Sequence, residues 1–229
     1  MGDEPTNEGA EAAEALARPQ LHRLIAAMRE ATSLLLDTSL AEPELARAAE
    51  AAETLVEQLR ETQAEHPGAR AWAHRQNRSR ESWGLSETSP LTGAFNVIAP
   101  PMSLRIDGDE VVGTGVFGQQ FEGPPAHVHG GIVAAAFDDV LGMVQGATGN
   151  AGMTGTLIVR YRRSTPLHRE VTFRGKVDRI EGRKIFTSAT LHYGETLLAE
   201  SEGIFIRVAE GHFESLRERN PATGIAPAE

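Results

Sequence analysis

The residues best placed to do chemistry lie in one stretch, Gly123-Pro124-Pro125-Ala126-His127-Val128-His129-Gly130-Gly131-Ile132-Val133-Ala134-Ala135-Ala136-Phe137-Asp138-Asp139-Val140. A proline-stiffened turn delivers a His-Gly-Gly into an almost wholly apolar run that carries two acids. The alanines after the glycines favour helix, and the pattern predicts one that opens near His129 and runs to about Ala147, where Gly146, Gly149, Gly152 and Gly155 break it. A helix apolar on every side belongs in the interior. An aspartate there is costly unless something uses it. The pair His127-x-His129 has the spacing of two metal ligands on one strand, as in a cupin barrel. Cupins continue with a glutamate on a strand, whereas an alanine-rich helix follows here, so neither a metal nor any other cofactor is expected.

The elements that must position this stretch can be read on either side of it. Residues 1–18 are rich in Glu, Ala and Gly and are expected to be disordered. Leu21, Leu24, Ile25, Met28 and Leu35 recur at helical spacing, as do Leu45, Ala49, Ala52, Leu55, Val56 and Leu59. Thr38-Ser39-Leu40-Ala41-Glu42-Pro43 supplies a breaker, a cap and a first-turn proline between them. Residues 19–66 therefore read as an antiparallel helical hairpin with Glu-rich outer faces, a packing or dimerisation appendage or a partner-binding element. His66-Pro67-Gly68 ends it, and 67–91 reads as a polar linker pinned by Trp72 and Trp83. From residue 92 the periodicity becomes that of strands: Met102–Ile106, Val111–Phe117, then, after the helix, Thr154–Tyr161, Glu170–Ile180, Lys184–Tyr193 and Leu197–Val208. The strand domain is taken as 92–210 and a loose tail as 211–229. A hairpin, one long buried helix and an antiparallel meander make an α+β domain, and a sheet wrapped round the helix is the arrangement that covers it. The edges of such a sheet call for dimerisation.

Composition excludes several classes. The chain has no cysteine, which rules out disulfides, a thiol nucleophile and thiolate metal sites and suits a cytoplasmic protein. No apolar run approaches the ~18 residues of a membrane span. The acidic start of the sequence has neither a basic region nor an apolar core, as a signal or transit peptide would. Of the net charge of −10, almost all sits in residues 1–66, with fourteen acidic against five basic residues. Within 154–184 the balance reverses to nine basic (Arg160, Arg162, Arg163, Arg169, Arg174, Lys176, Arg179, Arg183, Lys184) against three acidic. A basic patch on an acidic molecule suits a small polyanionic ligand; a long nucleic acid would be repelled.

Taken together, Gly123-Pro124-Pro125, His129-Gly130-Gly131, Asp138 nine residues after that histidine, Arg160–Pro166 and Val177-Asp178-Arg179-Ile180-Glu181-Gly182-Arg183-Lys184 resemble the hot-dog thioesterases of the PaaI type. Within them the stretch is similar in particular to the mammalian mitochondrial long-chain acyl-coenzyme A thioesterases. The resemblance covers about Phe121–Val208. It implies a hot-dog fold and hydrolysis of a medium- to long-chain acyl-CoA. Asp138 would be the general base on water, or the nucleophile, with a carboxyl whose pKa burial raises towards useful base strength. The Gly130 N–H at the helix mouth would hold the oxyanion, and Thr154 would orient the attacking water. The resemblance also implies that the histidine-glycine turn and the aspartate of one site come from different subunits of a homodimer, with a dimer of dimers left open. Arg160 and Arg162, which share a strand face, and Arg183-Lys184 in the next hairpin would meet the phosphates of coenzyme A. Small bacterial relatives carry Asn or Gln six residues before the histidine to polarise the carbonyl; Gly123 stands there in this chain.

Each assignment has a plainer counterpart. Asp138 could be a buried acid satisfied by a neighbouring turn, and Asp139 is read as structural. Asp138 lies over Gly131, Ala134, Ala135 and Gly142, the least crowded side of the helix. His129 is read as a turn-stabilising cap more than a proton carrier, and His127 as a loop residue. The arginines could simply line a solvated strand face. Two other functions compete with hydrolysis: a silent acyl-CoA binding or sensing module with the helical hairpin as output, and a hot-dog hydratase, for which the expected Asp/His pair on the helix is missing.

Overall fold

The computed structural model describes residues 19–36, 39–65, 89–149 and 152–209. The expected disordered start, Trp72, Trp83, most of the linker and the C-terminal tail lie outside these residues. The element order is α1 (Pro19–Leu36), α2 (Glu42–Glu65), β1 (Met102–Asp107), β2 (Glu110–Val116), a short 3-10 turn (Gln119–Phe121), α3 (Gly130–Gly146), β3 (Gly152–Tyr161), β4 (Glu170–Glu181), β5 (Lys184–Tyr193) and β6 (Thr196–Arg207). The strands form one six-stranded sheet in the order β1-β2-β4-β5-β6-β3. Every element expected from the sequence is present, with ends shifted by one or two residues.

The chain divides into two compact units: Met1–Ser103 with Gly115–Val133 and Thr165–Glu170, and Leu104–Thr114 with Ala134–Ser164 and Val171–Glu229. In the first, α1 docks through its first three turns. Ile25 is buried, and the His22 and Phe95 rings stack with centroids 4.7 Å apart. The Arg29 guanidinium donates to the carbonyls of Gly93 at 2.9 Å and Asn96 at 2.8 Å, and its burial lowers its pKa below the ordinary arginine value. α2 begins with half of a capping box, the Ala41 N–H donating to the Glu44 carboxylate at 3.0 Å. The helical pair is there, but among the residues of α2 whose burial is described none is buried, and the apolar stripe contains an exposed Val56 and Leu59.

In the second unit the buried side of α3 lies on the sheet. Phe137 and Phe173 meet edge to face with centroids 5.4 Å apart. A Cβ at Gly175 of β4 would lie 2.8 Å from Val144, and one at Gly203 of β6 would lie 3.0 Å from Leu141. Glycine at these two positions is what lets the helix approach the backbone so closely. Val140, Leu141, Phe173, Ile185, Leu191 and Phe205 complete a buried apolar core. β4, β5 and β6 form an antiparallel meander, and β3 pairs with β6 on one side only, leaving its other side as a sheet edge.

Candidate active site

The turn before α3 is tied down almost residue by residue. Phe121 is buried and meets Phe117 edge to face at 5.7 Å. Its carbonyl accepts the His129 N–H at 2.8 Å, and the Val128 N–H donates to Thr165 O at 2.9 Å. The Gly123 N–H donates to His127 O and the His127 N–H to Pro124 O, both at 2.9 Å, closing the Pro-Pro turn. A Cβ at Gly123 would stand 2.7 Å from the His129 Cα. The side chain that small bacterial relatives use at this position therefore cannot be accommodated by this turn.

His129 is the N-cap of α3. Its Nδ1 accepts the Gly131 N–H at 3.0 Å, and its carbonyl accepts the N–H groups of Ile132 at 2.9 Å and Val133 at 3.2 Å. Because a backbone N–H can only donate, the neutral ring carries its proton on Nε2. These three amides are committed to the cap and are excluded as oxyanion donors. His127 uses its ring differently, Nδ1–H donating to Pro125 O at 2.9 Å. Both histidines thus spend Nδ1 on backbone, and among the described residues no three His, Asp or Glu side chains converge as a metal site.

Asp138 is not fully buried, contrary to the expectation from its apolar surroundings. Within one chain it is half-buried, on a stripe where Gly131 is exposed and Ala134, Ala135 and Gly142 are also only half-buried. The reason is side-chain size: alanine and glycine at this helical spacing cannot reach across to cover a neighbour, and at Gly142 even a Cβ would have nothing within 4 Å. The carboxylate is nonetheless held. Thr154 Oγ1 donates to Asp138 Oδ1 at 2.8 Å. Thr154 lies on β3 at a register shift against β6, where Gly155 is the extra residue between Thr154↔Phe205 and Thr156↔Ile204. A bulge of this kind re-aims the side chain beside it. Asp139 is also half-buried and is bonded within the chain.

The cations counted in 154–184 are partly answered by acids outside that window. Arg160 pairs with Glu202 at 2.5 Å and Arg162 with Glu200 at 2.7 Å, so the two arginines do share a face, matched by two glutamates on β6. Arg174 reaches Glu110 at 3.4 Å. Arg183 donates to the Arg207 carbonyl from Nε at 3.4 Å and Nη2 at 3.2 Å. Lys184 opens β5 opposite Glu181. Arg179 lies 3.7 Å over the Phe186 ring. The i, i+2 spacing of Glu200 and Glu202 was the signal available in the sequence, but their partners depend on a strand register that the sequence does not show.

A solved thioesterase superfamily protein aligns with 81% of this chain and 90% of its own length at 32% identity, with a TM-score of 0.69. The chain belongs to the thioesterase superfamily. The family profile of that name matches residues 126–200, which include the cap, Asp138, Thr154 and the basic strands. Membership makes the helix-and-meander architecture a hot-dog fold. The acyl-coenzyme A thioesterase THEM4 of Bos taurus is 36% identical over 93 residues, 40% of this chain and 38% of that protein. THEM4 of Xenopus laevis is 39% identical over 95 residues, 40% of this chain and 42% of its own length. The chain therefore spans about two fifths of the length of these curated relatives.

Proposed function

We propose that the protein hydrolyses the thioester of an acyl-coenzyme A, releasing a carboxylic acid and the coenzyme A thiol. The observation that carries this reading is the Thr154–Asp138 hydrogen bond of 2.8 Å on the small-residue stripe of α3. It fixes one carboxylate oxygen and leaves the other to take a proton from water. The water oxygen attacks the thioester carbon, and the carbonyl oxygen becomes an oxyanion held by the Gly130 N–H and the positive end of the α3 dipole. Collapse breaks the C–S bond, and the proton held by Asp138 passes to the departing thiolate. The names of the curated relatives support acyl-CoA as substrate. The open space at Gly142 favours a medium- to long-chain acyl group, and Arg160, Arg162, Arg183 and Lys184 are the cations we assign to the coenzyme A phosphates. Thiol release from a panel of acyl-CoA esters tests the activity; no release from any chain length rejects it.

The same reading makes the enzyme a homodimer with shared sites. Gly130 and Asp138 are eight residues apart in one helix, about 12 Å along its axis. The first N–H groups of a helix face its N-terminal end, and Asp138 lies two turns further into α3. A thioester bound at the Gly130 N–H is served by the aspartate of a second copy. The edge of β3 suits such pairing, with ten residues and the exposed apolar side chains of Met153, Ile158 and Tyr161. Gly130→Pro removes the donor at a helix position that tolerates proline. Mixing inactive Gly130→Pro chains with inactive Asp138→Asn chains should restore turnover through hybrid dimers; no recovery rejects the shared site. A silent acyl-CoA sensor is the second reading, favoured by the uncovered stripe of α2 as an output surface, and it predicts ligand binding without thiol release. On its cysteine-free composition we place the protein in the cytoplasm, and among the described residues no helix is long and apolar enough to cross a membrane.

A further inference from the structure

Two residues other than glycine adopt the left-handed backbone among the described residues, Ala126 at φ 61° and His168 at φ 56°. An L-residue resists that conformation unless its surroundings enforce it. Both residues sit at the ends of one side-chain relay. The Ala126 N–H donates to Glu122 Oε1 at 2.7 Å. The second oxygen of the same carboxylate accepts from Gln119 Nε2 at 2.6 Å. Gln119 Oε1 in turn lies 3.4 Å from His168 Nε2. The backbone closes the circuit, with the Leu167 N–H donating to Ala126 O at 3.2 Å and the His168 N–H to Phe117 O at 2.8 Å.

We infer that Glu122 is a positioning residue for the oxyanion donor, acting through Ala126 on the turn that delivers His129 and Gly130. The carboxylate is placed to do this because it accepts the amide of the left-handed residue itself, four positions along the chain. If Ala126 relaxed to an ordinary φ, the chain between Gly123 and His127 would take another course. The Gly123–His127 and Glu122–Val128 pairings that aim His129 would be lost. Phe121, next to Glu122 in the chain, holds the His129 N–H, so both arms of the turn are anchored within two adjacent residues. Glu122 touches neither the reacting atoms nor the cap itself; it holds the backbone that does.

This inference rests on the thioesterase reading for its kinetic consequence and on the turn geometry alone for its structural one. The test compares the full chain with Glu122→Ala, Glu122→Gln and the double variant Glu122→Ala/Ala126→Gly. Misplacing a catalytic donor by about 1 Å costs up to about 100-fold, so Glu122→Ala is expected to lower kcat about tenfold or more while KM changes less than about twofold. Glu122→Gln keeps an oxygen acceptor for the Ala126 N–H and falls between. Glycine adopts the left-handed region without help, so adding Ala126→Gly restores kcat to within about threefold of the native chain. Hydrogen exchange of the peptide spanning 121–131 follows the same order, fast in Glu122→Ala and slowed again in the double variant. A double variant as slow as Glu122→Ala, or a loss confined to KM, overturns the inference. If the native chain releases no thiol, the thioesterase reading has failed, and the exchange order alone then decides whether Glu122 holds the turn. Should Glu122→Ala fail to fold, Glu122→Gln with and without Ala126→Gly gives the same comparison.

Discussion

Thr154→Val is the most informative single change, because it removes one hydroxyl and keeps the shape of the side chain. The hydroxyl donates to the Asp138 carboxylate at 2.8 Å, and a hydrogen bond to a charged group contributes about 1.5–3 kcal/mol. Thr154 is exposed and Asp138 half-buried in the chain, so water replaces much of that, leaving about 1 kcal/mol of lost orientation. At 1.36 kcal/mol per factor of ten, this corresponds to roughly a fivefold fall in kcat. The decisive measurement is the cycle with Asp138→Asn, read as thiol release under saturating acyl-CoA. If Thr154 works by holding the carboxylate, Thr154→Val on the Asp138→Asn background lowers the residual rate by no further factor. Thr154→Ser, which keeps the donor, stays within about twofold of the native rate. An additive cycle, with the same fivefold loss on both backgrounds, would refute the reasoning, since Thr154 would then act on water or substrate without the aspartate. Thermal unfolding of all four proteins guards the comparison, because about 1 kcal/mol shifts Tm by only about 2–4 °C in a chain of this size.

Other outcomes follow from the same geometry. Asp138→Asn should lower kcat by about 10²–10⁴-fold with little change in Tm, as general base catalysis commonly contributes that much; near-native turnover removes Asp138 from the chemistry. His129→Ala removes a side-chain cap and should cost about 0.5–2 kcal/mol of stability in denaturant titrations, whereas His129→Asn should recover most of it. Gly175→Ala puts a methyl 2.8 Å from Val144 and 3.3 Å from Ala189, an overpacking expected to cost about 1–3 kcal/mol in the same titrations. Gly123→Asn, with its Cβ against the His129 Cα, should lower kcat despite restoring the side chain that small bacterial relatives carry.

Much of this protein is legible along the chain because the relevant physics is local. Helical spacing in α1, α2 and α3, the strand periodicity of β3 to β6 and the turn residues between them are short-range properties, and the structure reproduces them within one or two residues. The His129 cap was legible too, since a polar ring directly before Gly-Gly and an apolar run has few other uses; its Nδ1 accepts the Gly131 N–H. Asp138 could be singled out by its offset from that histidine. What the sequence could not show is everything that depends on which surfaces meet. The uncrowded side of the helix under Asp138 could be read from Gly131, Ala134, Ala135 and Gly142, yet the aspartate still looked buried among apolar neighbours; only three dimensions show that no other element covers it within the chain. The arginines looked like an unanswered patch, yet strand register brings Glu200 and Glu202 beside two of them. Glu122 gave no sign at all, because nothing in Glu-Gly-Pro-Pro-Ala announces a left-handed alanine. Residue type and spacing picked out the candidate groups; their exposure, pairing and strain were decided by long-range packing, which one-dimensional order does not encode in any single residue.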